Sequence, residues 1–157
     1  MIRKQAEDTK WFHFKNLNPK GLRTTDCVVR GLAGALNQDW ETTYRELFEL
    51  GLKHSRPPED DIIVEKYLKL KGAIRIAQPK TALGTKLYGQ EVCGLIQEGK
   101  FIDNNGVVIP YKNYYLNLGF GHAACIVDGK IQDIWNSSYE KVGKMWAIPQ
   151  GGTYDYK

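Results

Sequence analysis

The stretch from Gly121 to Trp135, GHAACIVDGKIQDIW, constrains the fold more than any other part of the chain. Two apolar runs flank Asp128-Gly129, a dipeptide that marks a two-residue β-hairpin because both turn positions need positive φ. With those two residues as the turn, Val127 pairs with Lys130, Ala124 lies opposite Asp133 and His122 opposite Trp135. Side chains alternate between the faces of a strand. His122, Ala124 and Ile126 therefore share a face with Ile131, Asp133 and Trp135, and His122 and Asp133 become diagonal neighbours within hydrogen-bonding reach. A carboxylate on one ring nitrogen fixes the histidine tautomer and leaves the other nitrogen facing a nucleophile. A three-residue loop with Gly129 in a bulge gives a different register. Ile126 then pairs with Lys130, Asp133 moves to the far face and Asn136 comes round beside His122, which makes Asn136 the alternative orienting residue. Cys125 points away from His122 in either case.

The nucleophile that such a histidine could serve lies in Thr24 to Leu36, TTDCVVRGLAGAL. Val28, Val29, Leu32, Ala33 and Leu36 recur at the spacing of one helical face, with Thr25 or Asp26 as the N-cap. Cys27 falls in the first turn, where free backbone N–H groups and the helix dipole favour an anion. A thiol there loses its proton more readily, and the thiolate is the reactive form. The same spacing is also that of a cysteine serving as a small buried apolar residue.

Elsewhere the pattern is helical first and extended later. Asp39 caps a helix whose buried stripe is Trp40, Tyr44, Leu47, Phe48 and Leu50, ending near Gly51. Pro57-Pro58 opens another through Leu70, with Glu59, Asp60 and Asp61 at its start as solvated charges and Gly72 after its end. Ala73–Ala77 reads as a strand, Tyr88–Gln97 as a helix with Cys93 packed inside, and Val107–Tyr111 and Tyr114–Leu118 as strands. Tyr111, Tyr114 and Tyr115 suit either a substrate groove or sheet packing. Trp11, Phe12 and Phe14 form an apolar patch, His13 among them is structural, and residues 1–10 are expected to be a flexible tail. The order of elements predicts an α+β domain with an antiparallel sheet, a single domain over residues 1–157.

The net charge of +4 is spread over scattered Lys and Arg, so no nucleic-acid partner is expected. No apolar run reaches membrane-spanning length, and the first ten residues lack the apolar segment of a secretory signal. Three cysteines without a CxxC pair suit reduced thiols and a cytoplasmic location. The spacing of Cys27, Cys93, Cys125 and His122 matches no zinc pattern, so no metal is expected.

A cysteine opening a core helix, then a histidine starting a strand, then an aspartate or asparagine on the next strand resembles the papain-like cysteine peptidase superfamily. The likeness runs from Asn16 to about Ile148 through NPKGLRTTDCVVRGLA, DWETTYREL and GHAACIVDGKIQDIW. It is nearest to small papain-like proteins of phage and bacterial origin; DCVVR alone is also similar to ovarian-tumour-type deubiquitinases, which carry the aspartate further upstream. The resemblance implies a papain-like fold, N-terminal helices packed on an antiparallel sheet, with Cys27 as nucleophile, His122 as general base and acid, and Asp133 as the orienting third member. It implies a thiol protease or amide hydrolase that cuts peptide or isopeptide bonds through a thioester and needs no cofactor, with a peptide or protein as its partner. Amidases, deamidases, acyltransferases and inactive binding modules, such as a phage inhibitor of a host protein, share that fold. Papain-like enzymes commonly hold a glutamine a few residues before the cysteine as an oxyanion donor. None stands between Gln5 and Cys27 here; the backbone N–H of Cys27 supplies one donor, and the other must come from Asn16, Asn18 or a Thr24/Thr25 group, of which Asn18 is the nearest chemical equivalent.

Overall fold

In the computed structural model, which describes residues 6–149, the hairpin forms with the two-residue turn. Strand β4 (His122–Val127) pairs with β5 (Lys130–Asp133) through Val127↔Lys130, Ile126↔Ile131 and Cys125↔Gln132. Asp128 and Gly129 both take positive φ, 50° and 77°, as the tight turn requires. The bulged register that brings Asn136 beside His122 does not form.

Around this hairpin the described residues build a six-stranded sheet with β1 (Phe12–Phe14), β2 (Ile74–Ile76), β3 (Asn113–Leu118) and β6 (Val142–Ile148), in the order β1-β5-β4-β3-β6-β2. The class is α+β, but the sheet is mixed rather than purely antiparallel, because β1 runs parallel to β5. Three residues are too few to show a strand period, so the patch around Phe12 reads in sequence only as apolar. Val107–Tyr111 is not a strand; only an isolated Ile102↔Val108 bridge occurs there. Tyr114 and Tyr115 are buried in β3, so they belong to sheet packing.

Helices cover both faces. One face carries α1 (Cys27–Leu36), α2 (Trp40–Lys53) and α3 (Asp61–Leu70), whose Leu32, Leu47 and Ile63 pack with Ala123 and Cys125 of β4. The other carries α4 (Gly89–Gln97), whose Val92 and Cys93 pack with Ala124 and Ile126. Strand alternation thus gives β4 an apolar side chain for each layer. Helix α1 lies so close to β4 that a Cβ on Gly34 would stand 2.5 Å from Cys125 Sγ, and one on Gly31 3.1 Å from the Ala124 carbonyl oxygen.

The Asp39 carboxylate caps α2 by accepting from Thr42 N at 2.7 Å. The buried residues of α2 are Thr43, Leu47 and Gly51, so the aromatic stripe is turned one position outward from its expected place. Tyr44 and Phe48 are 44% and 46% exposed, and they cover one another instead, stacking in series on Trp40 with centroids 5.1 and 6.2 Å apart. Asp60 caps α3 through Ile62 N, and Pro57 and Pro58 lie in the turn before it rather than in its first turn.

Of the segment expected as a tail, residues 1–5 lie outside the described residues. Residues beyond them are bonded: Phe14 N donates to Asp8 Oδ1, Thr9 N to the Phe12 carbonyl and Gln97 Nε2 to the Lys10 carbonyl. Among the described residues no helix is long and apolar enough to cross a membrane.

Candidate active site

Helix α1 begins at Cys27 with Asp26 in the N-cap position, but the Asp26 side chain does not cap the helix. It turns inward, 5% exposed, and its oxygens accept from three other groups. Arg30 Nε donates to Oδ1 at 2.8 Å, while Asn18 Nδ2 and Trp40 Nε1 donate to Oδ2 at 3.1 and 2.9 Å. Neither Thr25 nor Asp26 therefore serves as the expected side-chain cap. The first N–H groups of α1 remain beside Cys27, where they favour negative charge.

His122 Nε2 and Asp133 Oδ2 are 2.6 Å apart, which leaves Nδ1 as the nitrogen available to Cys27. The His122 side chain and the backbone N–H of Ala123 lie near enough to the Cys27 sulfur to favour its ionised form. By alternation His122 and Asp133 belong to the α4 side of the sheet, yet they bond to side chains of α1. The last paired residues of β4 and β5 are Cys125↔Gln132, and past that point Asp133 is bonded to His122 and to α1. There Arg30 Nη1 donates to Asp133 Oδ1 at 3.0 Å. Ile134 N donates to the same oxygen at 2.8 Å, and Ser137 Oγ donates to Oδ2 at 2.6 Å. Trp135 leans on the His122 ring, centroids 4.7 Å apart, and screens one flank of it from water.

The structure thus brings together Cys27, His122 and Asp133. Asn136 stands elsewhere, accepting from Ser138 N and Oγ at the start of a short 3-10 turn, Ser137–Tyr139. Asn18 is half-committed: one carboxamide N–H bonds Asp26, and its Oδ1 accepts from the amides of Lys20 and Leu22. His13 pairs with Asp8.

Electrostatics sorts the three thiols. Burial opposes ionisation of Cys27, but the hydrogen bonds from His122 and the Ala123 N–H, with the charges of His122 and Arg30, outweigh it and bring the thiol below its ordinary value. Burial pushes both Cys93 and Cys125 up to about 12. For His122, burial disfavours the imidazolium, but hydrogen bonds to Asp133 and Cys27 and their negative charges raise its pKa to about 9. Burial likewise works against the Asp133 carboxylate, and the bond and charge of His122, with the donors Ser137 and Ile134 N, hold it below the usual range. The arrangement favours a thiolate–imidazolium pair. Among the described residues no group of three or more His, Cys, Asp or Glu is placed to hold a metal ion.

Sequence reasoning missed Arg30, Ser137 and Trp40, which complete the polar surroundings of the two aspartates. The i, i+4 spacing of Asp26 and Arg30 was the one available signal. The chain matches no family model, no curated protein and no solved structure, so its function is argued from this arrangement of side chains.

Proposed function

We propose that the protein is a papain-like cysteine hydrolase that cuts peptide or isopeptide bonds through a Cys27–His122–Asp133 triad. One observation carries the reading: the imidazole beside Cys27 joins the buried Asp133 carboxylate at Nε2, which leaves its other nitrogen for the thiol. That is the division of labour a nucleophile and its proton carrier need.

In this mechanism the Cys27 thiolate attacks the carbonyl carbon, and the electron pair of the C=O bond moves to oxygen. The backbone N–H of Cys27 meets the developing charge, as helix N-termini do for anions. The second N–H of Asn18 Nδ2, not used by Asp26, is the other donor. The tetrahedral adduct collapses, the C–N bond breaks, and Nδ1–H of His122 passes its proton to the leaving amine. Water then adds to the thioester with neutral His122 taking its proton, and Cys27 leaves as thiolate beside the restored imidazolium. Asp133 stays ionised throughout and keeps the ring oriented.

The test is cleavage of a peptide library by the intact protein, with Cys27→Ala as control, read beside iodoacetamide alkylation of each cysteine. Wild type is expected to cleave and to alkylate at Cys27 well below the pH at which Cys93 and Cys125 react, with His122→Ala abolishing both. Three cysteines that react alike and slowly, with no cleavage, would overturn the proposal in favour of a binding module.

A further inference from the structure

We infer that Arg30 is a positioning residue: its guanidinium ties the carboxylate beside the nucleophile to the carboxylate that orients the histidine, so that α1 and β5 present Cys27 and His122 to each other as one unit. The inference rests on the catalytic reading above and adds to it a part that lies outside the triad.

The geometry is specific. Nε of Arg30 serves Asp26 Oδ1 at 2.8 Å and Nη1 serves Asp133 Oδ1 at 3.0 Å. All three side chains are nearly dry, with Asp26, Arg30 and Asp133 at 7, 7 and 0% exposure. Each Asp133 oxygen has two donors, Arg30 and Ile134 N on Oδ1, His122 and Ser137 on Oδ2. Arg30 and Ile134 N together keep Oδ1 turned away from the ring, and Arg30 is the one charged donor among them. Two donors pointing in different directions from one planar group are needed here, and a lysine ammonium, as a point charge, lacks that fork. The sequence pattern is Asp-Cys-x-x-Arg: one turn of helix sets Asp26 and Arg30 side by side and leaves Cys27 at the tip.

Charge points the same way. The titratable groups facing Arg30 and Asp133 are Asp26 at the N-cap of α1, Cys27 from α1, and His122 and Cys125 from β4, and Glu59 ahead of α3 lies near enough to Asp26 that its carboxyl, raised first by burial, is raised further by that charge. With Arg30 gone, two buried carboxylates would stand without their shared cation, and a carboxylate in that position takes up a proton. A protonated Asp133 no longer holds the imidazolium, and without the imidazolium Cys27 reverts to a thiol.

The experiment is the pH profile of Cys27 alkylation by iodoacetamide, read by peptide mass spectrometry on the full chain between about pH 5 and pH 9, where thiol and imidazole groups titrate. Arg30→Met and Arg30→Lys are compared with wild type, and circular dichroism melts report folding. In Arg30→Met the acid limb is expected to move up by about one pH unit, which is about a tenfold lower Cys27 rate near pH 6. Arg30→Lys retains the charge but not the fork, and is expected to move it by about half as much; it carries the test if the methionine variant does not fold. A folded Arg30→Lys or Arg30→Met protein with the wild-type profile would overturn the role of Arg30 alone. Wild-type Cys27 reacting no faster than Cys93 and Cys125 would instead defeat the catalytic reading beneath it.

Discussion

Asn18 has a single carboxamide and two groups to serve. One N–H holds Asp26 Oδ2, and the other is assigned to the oxyanion. Replacing it by alanine leaves Asp26 with Arg30 and Trp40 as donors, so the Cys27–His122 pair is expected to survive. Asn18→Ala should therefore keep the low-pH alkylation of Cys27 while turnover of the best library peptide falls about a hundred- to a thousandfold. Turnover unchanged within about threefold, against the usual loss for one such donor, would remove Asn18 from the oxyanion site. At this scale Cys27, His122 and Asp133 were legible because each sits in a local pattern, a helix start or a hairpin register, that fixes where its side chain points. Arg30 was not. Read along α1 it is one polar residue in an apolar helix, and what buries it is a carboxylate 103 residues away.

The contact between α1 and β4 is what places Cys27 against His122. It is close because Gly31 and Gly34 leave the helix without side chains where it crosses the strand. A methyl group at Gly34 would meet Cys125 Sγ in the packed interior and the half-buried Leu17. Gly34→Ala should lower stability by about 1–3 kcal/mol, the usual cost of overpacking, and move the helix outward. Removing the obstructing sulfur in Gly34→Ala/Cys125→Ala should restore part of the loss in a chemical denaturation series. The double variant being the sum of its parts would place the strain elsewhere. The four helices and the hairpin were legible from apolar spacing and turn chemistry. Strand β1 was too short to carry a period. In β6, Gly143 and Lys144 interrupt a run that is otherwise buried along both layers, so neither alternation nor a continuous apolar stretch announces it. The stacked rings of Tyr44 and Phe48 have the spacing of a buried face although they look outward.

For the whole molecule, the ionic groups of the site make stability depend on pH in a way that proton counting decides. His122 is raised from 6.5 to about 9, so its contribution is complete below about 6.5 and is lost as pH rises through about 9. Cys27 is lowered from 9.0, so its contribution is present above that value and is lost as pH falls through its folded one. Where both groups are ionised, above the folded value of Cys27 and below about 9, the two opposite trends offset, and the melting temperature of wild type should change little with pH. Cys27→Ser removes the opposing group, and its melting temperature should decline steadily over the same interval. Parallel curves for the two proteins would show that the pair is not ionised in the folded state. On the acid side, burial disfavours the Asp26 and Asp133 carboxylates, but Arg30 and His122, respectively the foremost of their partners, hold both below 3.8. Their contributions are therefore present above that value and are lost as pH falls through the folded ones. The class of the fold was legible at this scale, helices before strands, but the order of strands was not, since it is set by which edges remain open after the hairpin has formed. That order has an outcome for synthesis. Strands from the first half of the chain take the two rims of the sheet and those from the second half fill its middle. A ribosome therefore issues Cys27 well before His122 and Asp133, the two groups proposed to serve it. The proposed triad is thus completed only late in assembly, when the centre of the sheet closes.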